Sequence, residues 1–238
     1  MGAGDSHGRI TSGIDRNTGP RQTLRFIETH LAAWRDDPER VEVEPERELN
    51  SQLCKFLNTQ ARRSDFSMVQ FHHEEYQGRR HAIDLSAGLS EGGVIEGRQF
   101  TKYDPILVVE CKRLPTPGSR RRKEYVSSES GEKPGGGIQR FKLGLHGREH
   151  RIAGMVGYVQ KKTCGQWLHE VNRWIDELSS SPDPIWSAGD RLNLRSHDPD
   201  SRVMRFESEH VREGGVSQTV WLIHLWIEMP EATARNTL

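Results

Sequence analysis

Apolar residues along the chain switch between two spacings, and the switches divide it into elements. From Gln22 to Asp37, Leu24, Ile27, Leu31 and Trp34 recur every three or four positions, the period of an amphipathic helix, and Pro38 ends it. Pro45-Glu46-Arg47-Glu48-Leu49 opens a second helix, with acids in its first turn and Leu49, Leu53, Phe56 and Leu57 as its buried stripe. The spacing then changes. Phe66, Met68, Val69, Phe71 and Tyr76 predict a strand over 66–76, Gly78 a turn, and His81-Ala82-Ile83-Asp84-Leu85-Ser86 a second strand. Gly88, Gly92, Gly93 and Gly97 make 86–102 a loop or irregular hairpin. Ile106-Leu107-Val108-Val109, entered from Asp104-Pro105, then reads as a buried strand, since three of its four aliphatic residues are β-branched. The first three strands are expected to form an antiparallel meander.

Pro115 to Gly137 shows no apolar period, a length at which connections are functional or disordered. Beyond it, a helix is expected over 138–145 and a strand over 152–159, with small residues that admit a close-packed helix. Trp167, Leu168, Val171, Trp174, Ile175 and Leu178 place a helix over 163–178, with its tryptophans in the core. Two strand-like runs, 201–210 and 216–229, flank Arg212-Glu213-Gly214-Gly215 and read as a hairpin. The last is apolar on both faces, which suits burial by helices or by a partner chain, and His224 within it reads as a satisfied sheet residue.

The Ile106-Leu107-Val108-Val109 strand ends in Glu110-Cys111-Lys112. Side chains alternate along a strand, so Glu110 and Lys112 share a face and Cys111 takes the other. Charges at the end of a buried strand are costly unless paired or bound to metal. A salt bridge among Asp84, Glu110 and Lys112 satisfies that cost, and so does a catalytic site. An acid on one strand followed by Glu-x-Lys at the end of the next resembles the PD-(D/E)XK (restriction-endonuclease-like) nuclease superfamily. Ile83 stands where that family usually has proline, a departure that leaves the chemistry intact.

The resemblance spans Glu46 to Leu178 and implies an α/β fold. Its core is αβββαβ, with a mixed central sheet flanked by helices, here followed by a C-terminal β-hairpin. It implies Mg²⁺, with Mn²⁺ as substitute, held by Asp84, Glu110 and the Cys111 backbone carbonyl. Lys112 then orients or deprotonates a water, or stabilises charge on the phosphate. Such proteins often carry an acid on the first core helix. Glu46 lies on the Leu49/Leu53/Leu57 side and matches it, although a first-turn acid also complements the helix dipole. Gln139 and Arg140 fall where the family places a glutamine or a basic residue after the Glu-x-Lys strand. Arg120-Arg121-Arg122-Lys123 offers a second basic element, read either as phosphate contacts or as a solvated run.

Composition narrows the setting. Lys and Arg number 34 and so do Asp and Glu, giving zero net charge, so bulk charge does not hold nucleic acid. Cys54, Cys111 and Cys164 are widely separated and lack metal spacing, which suits a reducing cytoplasm. No run spans a bilayer, and no secretory pattern is seen. Residues 1–20 are expected to be a disordered tail, with one nuclease domain over 21–238. The expected activity is metal-dependent endonucleolytic hydrolysis of DNA, with RNA left open. A bacterial anti-phage or restriction setting is implied, with a homodimer, or a multi-subunit complex having a separate ATPase or sensor, as the assembly. The rival reading is a non-catalytic nucleic-acid-binding or scaffold subunit on the same fold.

Overall fold

The computed structural model describes residues 18–77, 81–118, 121–128, 135–181, 185–213 and 215–230. Arg120, Gly214 and residues 1–17 of the expected tail lie outside the described residues. Thr18-Gly19-Pro20 do not belong to a tail, because they open helix α1 (Thr18–Arg35), followed by α2 (Glu46–Arg62).

Strands β1 (Val69–Gln77), β2 (His81–Leu89) and β5 (Pro105–Leu114) run antiparallel as neighbours, the expected meander. A small hairpin of β3 (Gly93–Ile95) and β4 (Arg98–Phe100) fills the glycine-rich connection. Helix α3 (Gly137–Lys142) leads to β6 (Ile152–Val159), which pairs parallel to β5. After α4 (Cys164–Ser179) come β7 (Asn193–Asp198), β8 (Val203–Val211) and β9 (Thr219–Glu228). The seven long strands make one mixed sheet in the order β1-β2-β5-β6-β9-β8-β7. The C-terminal pair is therefore no appendage. β9 inserts beside β6 in parallel and continues the same sheet. Its two apolar faces are explained by that interior position, with helices above and below rather than a partner chain.

Each helix stripe covers one face of the sheet, as layered α/β packing requires. Leu24, Ile27, Leu31 and Trp34 of α1 and Leu49, Leu53 and Leu57 of α2 pack on Leu107, Val109, Cys111, Val156 and Tyr158. Trp167, Val171, Trp174 and Ile175 of α4, with Phe141 of α3, pack on Val108, Ala153, Met155, Leu222 and Trp226. Two β6 glycines make close approaches possible. A Cβ at Gly154 would stand 2.8 Å from Leu24 Cδ2, and one at Gly157 would stand 2.4 Å from Trp226 Cδ1. The polar 115–137 connection is not wholly solvated either. Tyr125 and Val126 are fully buried within it, and Gly137 N–H and Ile138 N–H donate to Glu124 and Tyr125 carbonyls. Among the described residues no helix is long and apolar enough to cross a membrane.

Candidate active site

Parallel β5 and β6 both end on one side of the sheet, and ligands in open α/β sheets gather at such carboxyl ends. There Asp84, Glu110, Lys112 and Glu46 converge, although as many as 66 residues separate them in sequence. The local cause begins in β2. Its pairing with β5 runs from Gly88↔Pro105 to Leu85↔Val109 and stops before Asp84. Beyond the last pair, the Cys111 N–H donates to the Asp84 side chain instead (Oδ2, 2.8 Å). Asp84 thus completes the ladder while its carboxylate is held at the strand end. Glu46, in the first turn of α2, reaches the same place, where its Oε2 accepts the Arg113 N–H at 3.0 Å.

Lys112 is at the centre. Its Nζ lies 2.9 Å from Glu46 Oε1, 2.8 Å from the Cys111 carbonyl oxygen, 3.1 Å from Glu110 Oε1 and 3.7 Å from Asp84 Oδ2. Its side chain is 4% exposed and that of Glu110 1%, whereas Asp84 and Glu46 keep 23% and 21%. Asp84 and Glu46 therefore form the open side, and the ammonium and Glu110 lie beneath them. Glu110 is gripped from α3 and from the segment that follows it as well. Arg140 donates to its Oε1 at 2.8 Å, and His146 Nδ1 lies 3.0 Å from its Oε2.

Burial disfavours the charged form of each buried member, and the neighbours decide the outcome. For Asp84, burial and then the Glu110 charge outweigh Lys112, so its pKa is raised to about 7. For Glu110, burial is outweighed by Lys112, His146 and Arg140, and the carboxyl is held well below its usual range. Burial also works against charge on Lys112, but Glu110, Asp84 and Glu46 hold its pKa well above the ordinary value. Glu110⁻ and Lys112⁺ are thus fixed. Asp84 is the member whose proton is exchanged near neutrality.

The donor chemistry fits a small hard cation. Mg²⁺ takes one or two carboxylates and completes its shell with water and substrate oxygens. Asp84, Glu110 and the Cys111 carbonyl offer that set at one strand end, around Lys112 Nζ. No cluster of three or more His, Cys, Asp or Glu side chains placed to hold a metal occurs among the described residues. A cation here would therefore depend on the backbone carbonyl, water and substrate as well as on the two acids.

The remaining expected residues are placed as follows. Arg140 reaches the site through Glu110. Gln139 does not turn towards these groups, because its Oε1 accepts from the Ser128 N–H at 3.2 Å. The described members of the basic run are paired with acids. Arg121 bonds Glu124 at 2.5 Å, Arg122 bonds Glu170 at 2.5 Å, and Lys123 bonds Glu177 at 2.9 Å, the last two reaching α4. His146 was not expected. It sits between Gly144 and Gly147, both with left-handed φ (63° and 60°), and the only mark in the sequence is that glycine spacing around a histidine.

A second polar group lies inside the sheet. Ser208, His210 and Asp190 have the contacts of an acyl-transfer triad, with Ser208 Oγ to His210 Nε2 at 2.7 Å and His210 Nδ1 to Asp190 Oδ1 at 2.7 Å. Ser208 is 2% exposed and its Oγ also meets His224 Nε2 at 2.8 Å, so no carbonyl reaches it. The chain continues from His224 Nδ1 to Tyr125 OH and from there to Trp226 Nε1, each at 2.7 Å. It ties the 121–126 segment to the sheet.

The chain matches no family model, no curated protein and no solved structure.

Proposed function

We propose that this protein is a metal-dependent nuclease that hydrolyses phosphodiester bonds of DNA at the carboxyl end of β5. The observation that supports this reading best is the convergence of Asp84, Glu110, Glu46 and Lys112 at one strand end, open on the acidic side. A structural salt bridge needs one partner for Lys112, yet three carboxylates meet it. A divalent cation, when bound by Asp84, Glu110 and the Cys111 carbonyl, supplies Lewis-acid charge and a more acidic water.

The protein's own groups supply the rest. Glu110 is kept ionised and oriented by Arg140 and His146. Asp84 exchanges its proton near pH 7, so it is ready to become a ligand at physiological pH. Lys112, held protonated by Glu110, Asp84 and Glu46 in the metal-free site, supplies the positive charge that steadies the phosphate and orients the attacking water. Glu46 holds Lys112. Phosphate contacts beyond the centre fall to Lys161 and Lys162, exposed in the turn after β6, rather than to Arg121–Lys123, whose charges face Glu124, Glu170 and Glu177.

One observation favours a second reading, a non-catalytic nucleic-acid-binding or scaffold subunit. The Lys112 ammonium already neutralises the acids, as a purely structural ion cluster would. Supercoiled plasmid, single-stranded DNA and RNA, each incubated with Mg²⁺ or Mn²⁺, separate the two. Cleavage of DNA that stops on chelation supports the enzyme, and binding without cleavage under either ion supports the subunit.

A further inference from the structure

The oxygens that would receive a cation are arranged around a nitrogen. Lys112 Nζ is within 3.1 Å of Glu46 Oε1, the Cys111 carbonyl and Glu110 Oε1, and 3.7 Å from Asp84 Oδ2. Two of those carboxylates and that carbonyl are the metal donors of the reading above. An ammonium with three N–H donors takes three acceptors at hydrogen-bond distance, and it finds them here. A metal ion and an ammonium cannot share the same oxygens at contact distance. Like charges that close repel strongly at the effective dielectric of a protein site.

We propose that Lys112 is the resting occupant of the metal position, and that a divalent cation enters only by displacing its ammonium from the Cys111 carbonyl and Glu110 Oε1. This rests on the reading of the site as a metal-dependent nuclease. Displacement gives Lys112 a direction to move. Glu46, partly exposed and bonded to Nζ, lies on the open side and draws the ammonium outward, towards the solvent side from which a substrate phosphate would approach. Metal loading and delivery of Lys112 to substrate are then one event. Without metal the cage stays closed by the protein's own cation, and the three acids are kept from repelling one another.

A lysine that occupies the metal position competes with the cation for it, and a bystander lysine does not. Arg140 also contacts Glu110 Oε1, at 2.8 Å, whereas the bond to the Cys111 carbonyl is made by Lys112. Removing either residue deletes one positive charge beside Glu110. Only removal of Lys112 vacates the position.

The test is Mn²⁺ binding by titration calorimetry and by the loss of free-ion paramagnetic resonance signal. It compares wild type with Lys112→Met, Arg140→Met and Asp84→Asn. Lys112→Met is expected to bind Mn²⁺ about tenfold or more tightly than wild type, a gain of at least about 1.4 kcal/mol. Arg140→Met is expected to change affinity by less than about threefold, and Asp84→Asn to lose binding. Equal gains in the two methionine variants, or no gain in Lys112→Met, overturn the displacement while Asp84→Asn still tests the metal site itself. If wild type, Lys112→Met and Arg140→Met all fail to bind, the metal reading fails and the displacement with it. Should Lys112→Met not fold, wild type alone decides. The Lys112 ¹⁵Nζ resonance, protected by burial in the metal-free protein, is expected to shift and lose protection on saturation with Mg²⁺. A signal that stays unmoved at saturation contradicts the proposal.

Discussion

Lys112 Nζ and Glu46 Oε1 meet at 2.9 Å, joining the end of β5 to the first turn of α2. Glu46 Oε2 also accepts the Arg113 N–H, so one side chain fixes both the lysine and the backbone beside it. Glu46→Ala is expected to lower stability by about 1–3 kcal/mol, the range for leaving a buried donor unmade. Glu46→Gln, which can keep one of the two bonds, is expected to cost less. Both are expected to slow DNA cleavage by about tenfold or more, since Lys112 loses its outward anchor, about 1.4 kcal/mol of transition-state stabilisation. Chemical denaturation alongside cleavage rates checks the pair. A Glu46→Ala protein as stable and as active as wild type removes Glu46 from the site.

Asp84 gives the site its pH dependence. Its pKa is raised to about 7 from an ordinary value near 4, by burial first and then by the Glu110 charge. The folded protein therefore holds this proton more tightly than the unfolded chain does. Stability from Asp84 is full below pH 4 and is lost as pH rises through 7. Relative to Asp84→Asn, the metal-free wild type is expected to lose melting temperature between pH 5 and 8. Cation affinity is expected to change the opposite way, rising with pH through about 7 as the proton leaves. Thermal melts with and without Mg²⁺ across that range measure both slopes.

The interior hydrogen-bond chain has only one assignment of protons if both histidines are neutral. Asp190 only accepts, so His210 carries its proton on Nδ1 and accepts at Nε2 from the Ser208 hydroxyl. Ser208 oxygen then accepts from His224 Nε2–H, and His224 Nδ1 accepts from Tyr125, whose oxygen accepts from Trp226. Burial, and for His224 the neighbouring His210, pushes both imidazoles below their usual pKa, more strongly at His224. Nitrogen NMR at pH 7.5 is expected to show opposite tautomers, Nδ1–H at His210 and Nε2–H at His224. Because the unfolded chain protonates histidine near 6.5, stability from these residues is present above that value and declines as pH falls below it. Ser208→Ala interrupts the chain and is expected to cost about 1–3 kcal/mol.

Charge pairing separates two basic elements that look alike in sequence. Arg122 and Lys123 hold the 121–126 segment to α4 through Glu170 and Glu177, whereas Lys161 and Lys162 are exposed beside the open end of β6. Lys161→Ala with Lys162→Ala is expected to weaken DNA binding and reduce its salt slope by about two. Arg122→Ala with Lys123→Ala is expected to leave the slope nearly unchanged. Binding isotherms at several salt concentrations distinguish these outcomes.

Periodicity carried the helices and most strands, since α1, α2 and α4 bury the leucine, isoleucine and tryptophan stripes that the spacing marks. β7 was not legible. Its Asn193-Leu194-Arg195-Ser196-His197-Asp198 is exposed throughout, so an edge strand held by backbone bonds leaves no apolar alternation. Nor did the sequence show that the C-terminal hairpin joins the main sheet, because parallel pairing of β9 with β6 is a long-range choice. In the site, Asp84, Glu110, Lys112 and Glu46 were visible as charges misplaced on apolar elements. His146 and the buried Tyr125 were not, since both lie in irregular segments where no period exists to be broken. The pairing of Arg121–Lys123 was hidden for a related reason. A sequence shows a charge but not the α4 acids folded against it.

The most direct test is cleavage of supercoiled plasmid with Mg²⁺ by wild type and by folded Asp84→Ala and Lys112→Ala proteins. Metal-dependent cutting by wild type, lost in both variants while their melting transitions stay cooperative, is the predicted result. Cutting that survives both substitutions would place the chemistry elsewhere and contradict the account.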